Sequence, residues 1–225
     1  MRGATYRRDG VAVVALAQDS GRPEGMLQLL GDGLAAALGQ RVDGARQEVA
    51  DCVAALRERG WTGDTDLADQ LDALAGSAPV PMLRPIPVDL EELAGIIEGD
   101  PMDVGGVLDL HTGEVWHQST IEYVREGGDD IDVPDFDDPE RCLWVHGEGS
   151  RDGYRDMVQF IDTVADPDRA DRLTIAVDGR GAFRRFKDVL ARWPGESARW
   201  YEFSNERQRG RTRAWLADVG YRIRH

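Results

Sequence analysis

Between Gly179 and Pro194 the chain reads GRGAFRRFKDVLARWP, a segment dense in cationic, aromatic and glycine residues. Arg180, Arg184 and Lys187 recur at i, i+4 and i+7, the spacing of one stripe on a helix, with Arg185 next to it. A planar guanidinium meets a phosphate or a carboxylate through two parallel hydrogen bonds. Gly179 and Gly181 would place bare backbone N–H groups at the start of that helix, where the orphan donors and the helix dipole favour an anion. These residues suit recognition of a phosphate-bearing ligand or an acidic partner. The candidate ligand-binding set is therefore Arg180, Gly181, Arg184, Arg185 and Lys187. The competing explanation is structural: the stripe pairs with acidic residues elsewhere, and Gly181 only permits close helix packing.

Two other groups of residues carry chemistry. Arg207, Arg209, Arg211 and Arg213 alternate within ERQRGRTR, a pattern that suits a nucleic-acid contact with Trp200 and Tyr201 as stacking groups. The ordinary alternative is a solvated helix face with Trp200 in the core. His111, His117 and His146, with Asp109 and Glu114, fall in or beside strand-like segments and define a metal-dependent hydrolase or nuclease as an alternative function. Nothing supports it by spacing: there is no HExxH, no paired cysteine, no GxSxG and no P-loop. Asp132, Asp135, Asp137 and Asp138 lack the order of an EF-hand loop. The expectation is of no metal and no cofactor.

Charge limits the partners. The chain has 225 residues, 42 acidic against 27 basic, and a formal net charge of −15, which disfavours a protein that grips nucleic acid or an anionic membrane with its whole surface. The imbalance is uneven: residues 180–225 hold 12 cations and 5 acids, and the rest hold 15 and 37. Either the two parts attract one another in the fold, or a basic surface is kept for a ligand. A third function class follows from the same numbers, an acidic adaptor whose N-terminal helices and Asp-rich loop engage a basic protein partner. Cys52 and Cys142 form no CxxC pair, the N-terminus lacks a signal peptide, and no apolar run approaches the ~20 residues of a membrane span, so a cytoplasmic protein is expected.

The elements that must position these residues change character along the chain. Residues 1–80 read as amphipathic helices: a first around Val11 to Leu16, a second over 24–38 with Leu27, Leu30, Leu34 and Leu38 on one face, a third from Val42 to Leu56 stopped by Gly60, and a fourth capped at Asp64/Thr65. Ser77 to Pro87 contains four prolines and marks a linker or an extended crossing strand. Asp89 caps a short helix, after which VLDLHTGEVWHQ reads as a β-hairpin and STIEYV as its extension. An acid-rich stretch, 126–140, is expected to be a solvated loop. RCLWVHGE resumes the strand pattern. A helix capped by Ser150 follows, with Tyr154, Met157, Val158, Ile161 and Val164 as its apolar face. Asp166 and Pro167 start the next, with Leu173 and Ile175; the Arg-rich helix spans 180–193 with Phe183, Phe186, Leu190 and Trp193 inward; a last helix covers 196–219.

Several of these segments together resemble the bacterial uncharacterised protein family numbered 0158: DLHTGEV at 109–115, GYRDMVQFIDTV at 153–164, RLTIAVDGRGAFRRFKDVL at 172–190, WYEF at 200–203 and AWLADVG at 214–220. The resemblance covers about residues 86–220 and implies no catalytic residues, because the family is named for having no established activity. The expected fold is α+β, with a helical N-terminal bundle followed by a small antiparallel sheet packed against C-terminal helices. The expected division is a helical region, 1–80, and an α+β domain, 81–225. The expected function is a cytoplasmic binding or regulatory module.

Overall fold

The computed structural model describes residues 1–20, 24–99, 105–127, 133–147 and 149–225. Its first part is a helical bundle of α1 (Arg2–Tyr6), α2 (Gly10–Ser20), α3 (Leu27–Gly39), α4 (Ala45–Arg59) and α5 (Asp64–Ala75). Leu27, Leu30, Leu34, Val49, Leu56 and Leu67 sit at the centre of one apolar cluster. The helix starts are less conventional than the sequence pattern. Asp64 does not cap α5 from outside; it is the first helical residue, buried, and the N-cap is Gly63 in a left-handed conformation. The glycine and proline of GRP at 21–23 predict a turn between the first two helices, and these residues lie outside the described ones.

The proline-rich crossing ends in β1 (Arg84–Ile86), followed by α6 (Leu90–Glu98), whose N-cap Asp89 accepts the Glu91 N–H at 2.7 Å. Next come β2 (Gly105–Asp109), β3 (Val115–His117), α7 (Gln118–Arg125), β4 (Cys142–His146), α8 (Arg151–Asp162), α9 (Pro167–Val177), α10 (Ala182–Leu190), α11 (Pro194–Asp218) and β5 (Tyr221–Ile223). The fold is α+β, with a three-stranded antiparallel sheet ordered β3-β2-β4 and a separate parallel pair, β1-β5. The hairpin is where the alternation put it, with Val107 opposite Trp116.

Several local expectations are corrected. STIEYV is helical (α7), because only Ile121 is buried there and Tyr123 is exposed, so the segment covers the sheet rather than extending it. On α8 the buried apolar residues are Met157, Phe160 and Ile161, with Asp156 buried beside them, while Tyr154 and Val158 face solvent. Ser150 occupies the N-cap position of α8, but its side chain makes no capping bond. Ile175 is exposed and Ala176 takes its place inside. The Arg-rich helix is shorter than its pattern, starting at Ala182. The strand β5 follows Gly220; its local sequence carries no strand signal, and it forms because Ile86 and Ile223 meet in register.

Helix α11 runs through the molecule and touches both halves. It packs on α3 and α5 of the bundle, on α6, and on α8. Where it crosses the start of α5, backbone meets backbone: a Cβ on Gly210 would lie 2.2 Å from the Thr62 carbonyl oxygen, and one on Gly63 would lie 2.0 Å from that of Gly210. No side chain fits between them.

Candidate functional site

The α9–α10 turn is built by glycine and by one arginine. Gly179 and Gly181 both adopt positive φ, 75° and 76°, in the left-handed region that L side chains disfavour. The Arg185 guanidinium folds back over this turn, donating through Nε to the Ala176 carbonyl at 3.1 Å and through its terminal nitrogens to the carbonyls of Asp178 and Arg180. It thereby satisfies acceptors that the end of α9 leaves without helical donors. Arg185 is thus engaged inside the turn, in contrast to its neighbours on the stripe.

Arg180, Gly181, Arg184 and Lys187 are exposed. Arg184 has one charged neighbour, Asp188 at 3.9 Å, and 90% of its side chain is accessible, so solvent screens the pair almost completely. Next to them is an open depression lined by Gly179, Gly181 and Phe183 on one side and by Arg151, Tyr154 and Arg155 of α8 on the other. The two helices approach closely: a Cβ on Gly153 would lie 3.1 Å from the Phe183 ring. Phe183 is therefore a half-exposed wall of the depression, while Phe186 and Leu190 anchor α10 in a core with Phe160 and Trp200. Arg155 is tied to Asp152 at 2.8 Å. Sequence reasoning missed Arg151 and Arg155. Their i, i+4 spacing was visible, but nothing in the sequence places the start of α8 beside the start of α10.

The α11 arginines have a different fate. Arg207 pairs with Asp156 at 3.0 Å, Arg209 with Asp32 at 2.6 Å and Glu91 at 3.0 Å, Arg211 with Asp156 at 2.7 Å and with Glu98, and Arg213 with Asp32 at 2.6 Å and with Gln28 Oε1 at 2.9 Å. None is a solvated face, and none is free for a nucleic-acid backbone. Burial acts to raise the Asp32 carboxyl, but Arg213 and Arg209 outweigh it and hold the group well below the usual carboxylate range. Burial pushes Glu98 up despite Arg211. A related cluster joins Arg59 to Asp64 at 2.6 Å and to Glu206 at 2.8 Å, and burial pushes Glu206 up as well.

The histidine and carboxylate alternative is dispersed. Asp109 is buried and caps the hairpin turn, accepting the His111 N–H at 2.8 Å, the Thr112 N–H at 3.2 Å and Arg141 Nε at 2.9 Å. His117 is paired across the sheet with Gly106 and His146 with Gly105, so the two imidazoles leave from opposite faces. Asp137 engages Arg125 at 2.8 Å. Asp132 lies outside the described residues. Among the described residues, no group of three or more His, Cys, Asp or Glu gathers in a way that could hold a metal ion. No described helix is long and apolar enough to cross a membrane.

The described residues form an α+β protein with an exposed basic turn and no gathered metal ligands among them. The chain belongs to the uncharacterised protein family UPF0158, whose family model matches residues 90–223. It is 30% identical over 137 residues to the UPF0158 protein of Pseudomonas aeruginosa strain PAO1, an overlap of 60% of this chain and 85% of that one. No solved structure matches it significantly. The family match begins at the first residue of α6 and leaves α1 to α5 outside.

Proposed function

We propose that the protein is a binding module whose α9–α10 turn and the adjoining start of α8 recognise an anionic group, a phosphate or a set of carboxylates, on a ligand or partner protein. The observation that carries this reading is selective neutralisation. The four α11 arginines are buried or half-buried and each paired with an acidic side chain, whereas Arg180, Arg184 and Lys187 stay exposed on and after the turn, whose Gly179 and Gly181 line a depression together with Arg151 and Arg155. The N–H groups of the first turn of α10 have no helical acceptor and share the positive end of the dipole. Arg185 supports the site from behind by holding the two glycines of the turn in place. The half-exposed rings of Tyr154 and Phe183 supply an apolar edge for whatever bears the anion.

The test is an NMR-detected titration of the folded chain with pyrophosphate and with a polyglutamate peptide at two salt concentrations. At least one probe is expected to shift amides over 179–187 and 151–155, with affinity falling as salt rises. The double variant Arg180→Glu, Arg184→Glu is expected to bind about tenfold more weakly or worse. Undiminished affinity in a variant with a native-like spectrum would overturn the proposal.

A further inference from the structure

A second concavity lies between the N-terminal bundle and the α6 and α11 side of the molecule, a cleft of about 500 Å³. This is within the usual size of small-molecule sites, which favour boundaries between structural units. Its walls come from distant parts of the chain: α1, the turn after it, α3, residues 88–91, Arg209 of α11, and residues 223–225. Leu29, Ala36, Leu38, Val88, Leu90 and Ile223 give it an apolar lining.

Charge in the cleft does not cancel. Its three side-chain carboxylates are all engaged. Asp32 binds Arg209 and Arg213, Glu91 takes Arg209 at 3.0 Å and Arg2 at 3.5 Å, and Asp89 caps α6. Arg8 and Arg224 line the same cleft and are exposed, and among the described residues neither has an acidic partner. A low-lying apolar surface with two uncommitted guanidiniums at its edge matches a molecule with one charged end.

Backbone geometry sets Arg8 in place. Its φ of 52° lies in the left-handed region, uncommon for a residue of this type. Gln40 holds the turn from both sides, donating through Nε2 to the Arg8 carbonyl and accepting the Gly10 N–H on Oε1 at 3.1 Å. Such conformations persist where the surroundings over-determine them, and they concentrate at ligand sites.

We propose that this cleft binds a small amphipathic anion, a carboxylate or phosphate ester whose head group is met by Arg8 and Arg224 while its apolar body lies along the lining. Occupancy would bridge the N-terminal helices and the part of the chain shared with the family. The site is separate from the α9–α10 turn and shares no lining residue with the depression there.

Octanoate and octyl phosphate probe the carboxylate and the phosphate ester, octan-1-ol supplies the body without charge, and inorganic phosphate supplies charge without the body. In titrations of the full chain followed by amide shifts, at least one amphipathic anion is expected to saturate with shifts confined to cleft residues. Octan-1-ol and inorganic phosphate should bind about tenfold more weakly or not at all. Arg224→Gln, which leaves the strained turn untouched, should weaken the anion about tenfold, as should Arg8→Gln. Ala36→Leu should obstruct the cleft and remove binding, while Arg180→Glu with Arg184→Glu should leave it unchanged. The proposal is overturned if neither anion binds saturably, if octan-1-ol binds as tightly, or if the folded Arg224→Gln chain keeps full affinity.

Discussion

At the scale of single residues, the same side-chain type performs three jobs. Arg213 is 1% exposed and bonded to Asp32 and Gln28, Arg185 ties up carbonyls of a turn, and Arg184 extends into solvent. Exposure and partners separate scaffold from candidate site, and residue type does not. Asp32 is the residue on which the buried network turns, since it accepts both Arg209 and Arg213. Breaking such a buried pair from one side leaves an uncompensated charge, so Asp32→Asn is expected to cost about 3–5 kcal/mol in chemical denaturation. The pH dependence has a definite sign. Because the native carboxyl is held below its ordinary 3.8, the unfolded chain binds more protons there, and this contribution is full above 3.8 and lost as the pH falls further. Stability measured below that value should therefore fall less steeply in Asp32→Asn than in the natural chain. Equal slopes would show that Asp32 contributes nothing there.

At the scale of elements, α11 is the member on which the others converge. Its inward residues are not one apolar stripe: Trp200 and Leu216 bury beside Glu206, Gly210, Thr212 and Arg213. This helix has neighbours on several sides and meets the bundle mainly through charge and close backbone contact. Gly210 illustrates the constraint. Alanine is the better helix former by roughly 1 kcal/mol, yet its Cβ would lie 2.2 Å from the Thr62 carbonyl oxygen. Backbone on both sides prevents relief, so Gly210→Ala is expected to destabilise by about 1–3 kcal/mol in thermal or denaturant unfolding. A stabilised variant would mean that α11 and α5 can move apart freely.

At the scale of the whole molecule, the N-terminal helices are fastened to the part matched by the family through Arg59 with Glu206, Arg209 and Arg213 with Asp32, and the Gly63–Gly210 contact. The division at residue 80 thus separates stretches that share a buried ionic layer. A chain shortened to residues 81–225 would expose Arg213 and leave Glu206 without Arg59. It is expected to unfold at a lower temperature, with a loss of about 3 kcal/mol or more, and to show faster amide exchange along the second half of α11. Unchanged stability and protection would show that the N-terminal helices contribute little to the rest.

What the sequence determined by itself was local. Hydrophobic periodicity, proline and glycine stops, and capping aspartates at positions 89 and 166 placed most helices, the 107–118 hairpin and the α+β class, and the motif resemblance identified the family. Arg184 and Lys187 were legible for the same reason, since their spacing lies within one helix, whereas the predicted third member of the stripe, Arg180, falls in the left-handed glycine turn before α10. Whether each arginine is neutralised was decided only by tertiary structure. Arg213 meets Gln28 across 185 residues of chain, and β5 exists only because its partner lies some 137 positions earlier. The depression beside Gly181 and the cleft around Arg8 are likewise assembled from remote segments. Pairing across such separations depends on how whole elements pack, and local periodicity carries no record of it.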